Sequence, residues 1–159
     1  VCHDKWMKAI FTVFFLFLAC NHIAGPAWAF DSQDLENFEL LKICENCDLS
    51  EANLKYGDLK NAVLKNTNLE GANLHAADLS GADLTGANLK DANLSEADLN
   101  GAVLRGVDAT GADFDNVNFL RADLREANLS TLDVSLERLE GATLCNTIIK
   151  SGTQNKNCR

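Results

Sequence analysis

A leucine at every fifth residue limits what this chain can fold into. Leu49, Leu54, Leu59, Leu64, Leu69, Leu74, Leu79, Leu84, Leu89, Leu94, Leu99 and Leu104 hold a strict five-residue period. The register continues through Ala109, Phe114, Phe119, Leu124 and Leu129 as far as Ile149. Of the 21 positions so defined, 16 are Leu, and Ala109 alone is not a large apolar residue. Two residues before each centre, Ala fills 13 of 21 positions; one residue before, Asp or Asn fills 16 of 21.

An α-helix cannot use this pattern. Residues five apart are rotated by about 140° on a helix, so the leucines would wind around every face and leave no buried stripe. An extended backbone can use it, because residues two apart point the same way. Ala and the following central Leu then face inward, Asp or Asn and the residue after Leu face outward, and the fifth residue falls at a corner. That fifth residue is often Gly, Glu or Asn, as at Gly71, Gly81, Gly86 and Asn66, and Gly and Asn tolerate backbone angles that other residues resist. Such a unit cannot bury its Leu alone and must stack on its neighbours.

Ala72-Asn73-Leu74-His75-Ala76, Ala82-Asp83-Leu84-Thr85-Gly86 and Ala97-Asp98-Leu99-Asn100-Gly101 fit the motif A-(D/N)-L-x-x, and over residues 47–149 the sequence resembles the pentapeptide-repeat proteins. The resemblance implies an all-β solenoid, a right-handed quadrilateral β-helix with four units per coil. Twenty-one units then make about five coils, in a rod roughly 24 Å long at the strand-pairing spacing. The core expected is the ladder from Leu49 to Leu129, including Phe114 and Phe119. Val107, Ala109 and Val117 trade bulk with the two phenylalanines at about constant volume. Leu132 and Glu137-Arg138-Leu139 break the pattern, and a bulge or helical turn is expected near 132–140, because an inward unpaired Glu137 would be costly.

Ahead of the repeat lies a targeting segment over residues 1–29. Met7-Lys8, an apolar run from Ala9 to Cys20, and Ala27-Trp28-Ala29 follow the order of a secretory signal. Cleavage between Ala29 and Phe30 is expected, with residues 1–6 a mis-called start ahead of Met7. The apolar run is shorter than the ~20 residues of a membrane-spanning helix. Phe17-Leu18-Ala19-Cys20 also resembles a lipobox, which would make the chain a lipoprotein anchored through Cys20; an uncleaved anchor is the third possibility.

A solenoid needs caps on its open ends. For the 30–46 segment a helix is expected, running from an N-cap at Ser32 to about Ile43, with Asp34 and Glu36 in its first turns and Leu35, Phe38 and Leu41 covering the first coil. Residues 145–159 would close the far end, with 150–159 as the cap proper.

Four cysteines follow the signal: Cys44, Cys47, Cys145 and Cys158. Four permit three pairings, but across the rod length that the resemblance implies only Cys44–Cys47 with Cys145–Cys158 falls within disulfide reach of about 7 Å. Exported pentapeptide-repeat proteins of cyanobacterial type are similar, with C-x-x-C-(D/N)-L at the start and Cys-x-Thr…Gly…Cys at the end, here Cys145, Thr147, Gly152 and Cys158. The Cys44-x-x-Cys47 spacing also admits a thiol redox pair or half a zinc site. Redox pairs, however, usually sit at a helix N-terminus, whereas here the expected helix precedes the motif.

Groups for catalysis are sparse. His3 and His22 fall within the signal, leaving His75, expected as a solvated surface residue. The glycines recur at corners and form no phosphate loop. Asp78, Asp83 and Asp98 read as a solvated ladder, since the calcium-binding nonapeptide of β-rolls is missing. No cofactor, metal or enzymatic activity is expected. The net charge is −9, and −10 without residues 1–29, where 12 basic residues face 22 acidic ones. Such a chain repels nucleic acid and anionic lipid. The expected role is a non-enzymatic scaffold meeting an unidentified protein partner, as a monomer or weak end-to-end dimer. The resemblance implies the thylakoid lumen or periplasm, with no membrane contact once the signal is removed. Two alternatives are a thiol-regulated assembly factor or chaperone using Cys44 and Cys47, and, again by resemblance, a DNA mimic that binds gyrase.

Overall fold

In the computed structural model the residues described are 38, 41–131 and 139–158. The β-structure is a series of single-residue parallel bridges joining positions twenty apart, such as Asp48↔Asn68, Asn73↔Asn93 and Asp98↔Asn118. One coil is therefore four five-residue sides. Central leucines stack in four inward columns: Leu64, Leu69, Leu74, Leu79, Leu84, Leu89, Leu94, Leu99, Leu104, Leu124 and Leu129 are fully buried, as is Leu49. Leu54 and Leu59, in the first coil, are buried at 6% exposure. Ala109, Phe114, Phe119, Val107 and Val117 are all buried, and the rings of Phe114 and Phe119 meet at 5.5 Å between centroids.

Each corner is a hydrogen-bonded turn. Ala52 N–H donates to Leu49 C=O at 3.1 Å and Ala72 N–H to Leu69 C=O at 3.0 Å, a four-residue turn whose third residue carries a positive φ. Every fifth residue from Asn46 to Glu126 has φ between 52° and 80°. Glycine is at ease there, but Tyr56 (φ 59°) and Ala76 (φ 52°) hold the same angle against the steric preference of L-residues.

The unit 72–76 accounts for all five of its amides. Ala72 closes the turn; Asn73 N–H donates down to Ala52 C=O at 2.9 Å; Leu74 N–H donates up to Asn93 C=O at 2.7 Å; Ala76 N–H donates up to Ser95 C=O at 2.8 Å. The remaining amide, His75 N–H, donates to the Asn73 side-chain Oδ1 at 3.2 Å. A buried amide left without an acceptor is costly, which is why Asp or Asn recurs one residue before each Leu. Inward hydroxyls are satisfied too: Thr67 Oγ1 donates to Cys44 C=O, and Thr147 Oγ1 to Leu124 C=O at 2.6 Å.

The far end is a small sheet. β1 (Asn128–Leu129) pairs in parallel with β2 (Leu144–Ile149), and β3 (Gly152–Lys156) lies antiparallel on the other edge of β2. β3 thus occupies the hydrogen-bonding edge that the last coil would otherwise expose.

The expected helix of residues 32–43 lies largely outside the described residues. Phe38 and Leu41 are in helical conformation, and Lys42 N–H donates to Phe38 C=O at 2.7 Å. The helical path ends before Ile43, because Ile43 already bridges Val63 and the flanking Lys42 C=O and Cys44 N–H both bond to Val63. Phe38 is buried, whereas Leu41 is 62% exposed and does not cover the first coil. Residues 132–138, including Leu132 and Glu137, lie outside the described residues; Leu139 is fully buried.

Val63 and Val103 stand in the Asp/Asn position and cannot offer an acceptor to the residue two ahead. Val103→Asn is expected to stabilise the fold by about 1 kcal/mol, the usual worth of a cap, and Leu84→Ala to destabilise it by about 2–5 kcal/mol. Urea denaturation of the two variants beside the wild type checks both signs.

Candidate functional site

The outward positions form rails along the rod. In the rail Asp48, Asn68, Asn88, Asp108, Asn128, amide side chains donate from coil to coil: Asn68 Nδ2 to Asp48 Oδ1 at 3.0 Å, Asn88 Nδ2 to Asn68 Oδ1 at 3.0 Å, and Asn128 Nδ2 to Asp108 Oδ1 at 3.3 Å. On this and other rails, hydroxyls two residues on donate into the carboxylates: Ser50 to Asp48 at 2.7 Å, Ser80 to Asp78 at 2.5 Å, Thr85 to Asp83 at 2.6 Å and Thr110 to Asp108 at 2.7 Å. The acidic ladder is therefore part of the turn machinery. Asp98 is placed alike, accepting from Asn100 N–H at 2.9 Å and Asn118 Nδ2 at 2.9 Å.

These bonds favour the charged carboxylates. Hydrogen bonds from Ser50 hold Asp48 below the usual carboxylate range, and those from Ser80 do the same for Asp78. At Asp83 and Asp108 partial burial pulls upward but is outweighed by hydrogen bonds from Thr85 and Thr110 and by Lys65 and Lys90. Arg125 lowers Asp123. Ion pairs span adjacent coils at Lys65–Asp83 (3.2 Å), Lys90–Asp108 (3.2 Å) and Arg105–Asp123 (3.9 Å). Lys42, paired with Asp58 at 3.0 Å, also donates to the Asp58 carbonyl on the open edge of the first coil.

One surface cluster breaks this self-contained pattern. Tyr56 is 68% exposed; its ring meets His75 edge-on at 5.5 Å, with Lys55 Nζ 4.7 Å above it. His75 is half-buried, its Nδ1 2.8 Å from Ser95 Oγ. His75 was expected as a solvated surface residue and stands outward but only partly exposed, because the twenty-residue coil puts residues 55, 75 and 95 in one column. Tyr56 could have been found from the same arithmetic, once the corner position was known to project outward. Nearby, an open cleft of about 290 Å³ is lined by Phe38, Lys42, Leu54, Lys55, Asp58 and Leu59 among others.

Both disulfides join neighbours: Cys44–Cys47 with Cα atoms 5.4 Å apart and Cys145–Cys158 at 5.5 Å. Cys44 occupies a central position, five residues before Leu49, and is buried. Ala29, Phe30 and Cys20 lie outside the described residues. Among the described residues no three His, Cys, Asp or Glu side chains gather as a metal site, and no helix is long and apolar enough to cross a membrane.

The chain matches the family described as pentapeptide repeats, in eight copies, over residues 47–91 and 92–130. A pentapeptide repeat protein from Nostoc Pcc 7120 is 28% identical, with 71% of this chain and 93% of that chain covered and a TM-score of 0.60. Another, from the cyanobacterium Cyanothece 51142, is 31% identical over 74% of this chain and 94% of that one, TM-score 0.46. A third, from the Arabidopsis thaliana thylakoid lumen, is 31% identical over 52% of this chain and 65% of that one, TM-score 0.27. The comparison with curated proteins gives no match.

Because the lowered carboxylates lose their charge only at low pH, they stabilise the fold fully above the unfolded carboxylate value near 4 and cease to do so as pH falls below it. Urea midpoints measured from pH 7 to 2.5 are expected to fall steeply below about pH 4. The triple variant Asp78→Asn, Asp83→Asn, Asp108→Asn keeps an acceptor oxygen at each turn and is expected to flatten that acid limb.

Proposed function

From a chain that belongs to the pentapeptide-repeat family, whose solved members imply a right-handed quadrilateral β-helix, we propose a non-catalytic scaffold of about five coils that binds a protein partner. The observation that carries this reading is the Tyr56, His75 and Lys55 cluster. It mounts an exposed aromatic side chain on a rigid corner, and aromatic residues on preorganised surfaces supply contact area at low entropic cost. Elsewhere most of the outward Asp and Asn side chains are spent on one another and on the backbone, which leaves a flat polar surround of the kind that rims an interface.

The export signal read at residues 7–29 supports an extracytoplasmic compartment, the thylakoid lumen or periplasm, and sets the chain apart from a gyrase-binding DNA mimic. Burial of Cys44 favours a staple over thiol cycling at Cys44–Cys47. A monomer or weak end-to-end dimer fits a last coil whose outer edge β3 covers.

Cross-linking capture from the native compartment is the test. Tyr56→Ala with Lys55→Ala is expected to reduce partner recovery at least about tenfold, the loss of a modest hot spot, while Leu120→Ala leaves it unchanged. Equal recovery by all three chains contradicts the assignment of the face.

A further inference from the structure

The two disulfides differ in what they hold and in how they can be reached. Cys44 is 1% exposed in the column below Leu64, and Cys47, half-buried, packs against the same core. Cys145 is half-buried in an outward position, and Cys158 is exposed. What the second bridge closes is β3, a strand reading Gly-Thr-Gln-Asn-Lys with Gln154 half-buried and the rest exposed. No apolar side chain anchors it. Its ties to the rod are backbone pairing from Ile149↔Gly152 to Leu144↔Lys156, an Asn146 N–H bond to Asn155 Oδ1 at 2.9 Å, and an Asn157 Nδ2 bond to Ala142 C=O at 2.8 Å.

Polar two-stranded pairings without a packed face are marginal in water, so the covalent bridge decides whether β3 stays. Beneath it β2 is firmly placed, with Leu144, Thr147 and Ile149 buried and β1 on its inner edge. Loss of β3 would therefore bare one hydrogen-bonding edge and leave the coil intact.

We propose that Cys145–Cys158 is a redox latch: a dithiol reductant opens it, β3 leaves, and the outer edge of β2 is bared. In the first step a thiolate of the reductant attacks Cys158 Sγ, forming a mixed disulfide and releasing Cys145 as a thiolate. The second thiol of the reductant, once deprotonated, then displaces Cys158 as a thiolate and closes the reductant's own disulfide. Two electrons pass to the protein, and both cysteine thiolates take up protons from water according to pH. Exposed disulfides are the ones that exchange readily with thiols, because attack needs access along the sulfur–sulfur axis. Cys44–Cys47 remains closed through this exchange, so the N-terminal staple is an internal reference.

The test uses the full folded chain and dithiothreitol as the probe. Alkylation under graded reduction, mapped by mass spectrometry, is expected to label Cys145 and Cys158 at least about tenfold faster than Cys44 and Cys47. Amide exchange over residues 152–156 is then expected to accelerate about 100-fold, with residues 84–104 unchanged. Cys158→Ser should reproduce the faster exchange without reductant; if that variant does not fold, reduction of the unaltered chain still decides. Preferential or equal reduction of Cys44–Cys47, or undiminished protection of β3 after Cys145–Cys158 opens, overturns the proposal.

Discussion

The amide of each central residue from Cys44 to Ala109 donates to a carbonyl one coil further on, as Leu74 does to Asn93 at 2.7 Å, and every other feature depends on that bond. It fixes the vertical spacing, and the spacing brings each Leu column into contact. Because the bond joins residue i to i+19, the chain must turn through a full circuit in twenty residues, which four short sides accomplish. Each corner then needs a positive φ. Leucine burial provides the driving force, but the ladder decides where each leucine goes.

The same constraint explains why the surface has so little left over for chemistry. Turning every five residues strands one amide per side, and the preceding Asp or Asn absorbs it. Ser50, Ser80, Thr85 and Thr110 then donate into the carboxylates, and lysines one coil away pair with Asp83 and Asp108. A sequence with many acids thus yields a surface whose acids are mostly engaged. Recognition falls to what the repeat does not require, such as Tyr56, where neither Gly nor Asn was kept at a corner.

Most of the fold was legible from the five-residue period, since it excludes helix by geometry and assigns inside from outside. The pattern says less about hydrogen bonding: Asp78, Asp83 and Asp98 look like solvated charge because their acceptor role depends on backbone amides that a linear pattern does not display. His75 holds the outward position expected of it, but its contact with Ser95 was not read from a pattern taken one unit at a time. The helix expected to run to about Ile43 stops short of it, because ladder bonding to Val63 overrides local helix preference. The closed C-terminal tail was legible from Cys145 and Cys158, but its strand β3 was not, because a polar strand held by pairing and a disulfide has no hydrophobic period.

A staple stands at each end of the repeat, an internal one at Cys44–Cys47 and an external one at Cys145–Cys158, while the middle is repetitive. A twenty-residue coil is thus the central claim, and engineered cross-links read it directly. His75 and Ser95 face each other on adjacent coils, so His75→Cys with Ser95→Cys should form a disulfide on mild oxidation, within the ~7 Å limit for bridged Cα atoms. His75→Cys with Lys90→Cys, fifteen residues apart and on a neighbouring side, should not. Efficient cross-linking of the fifteen-residue pair with none for the twenty-residue pair would contradict the coil and everything built on it.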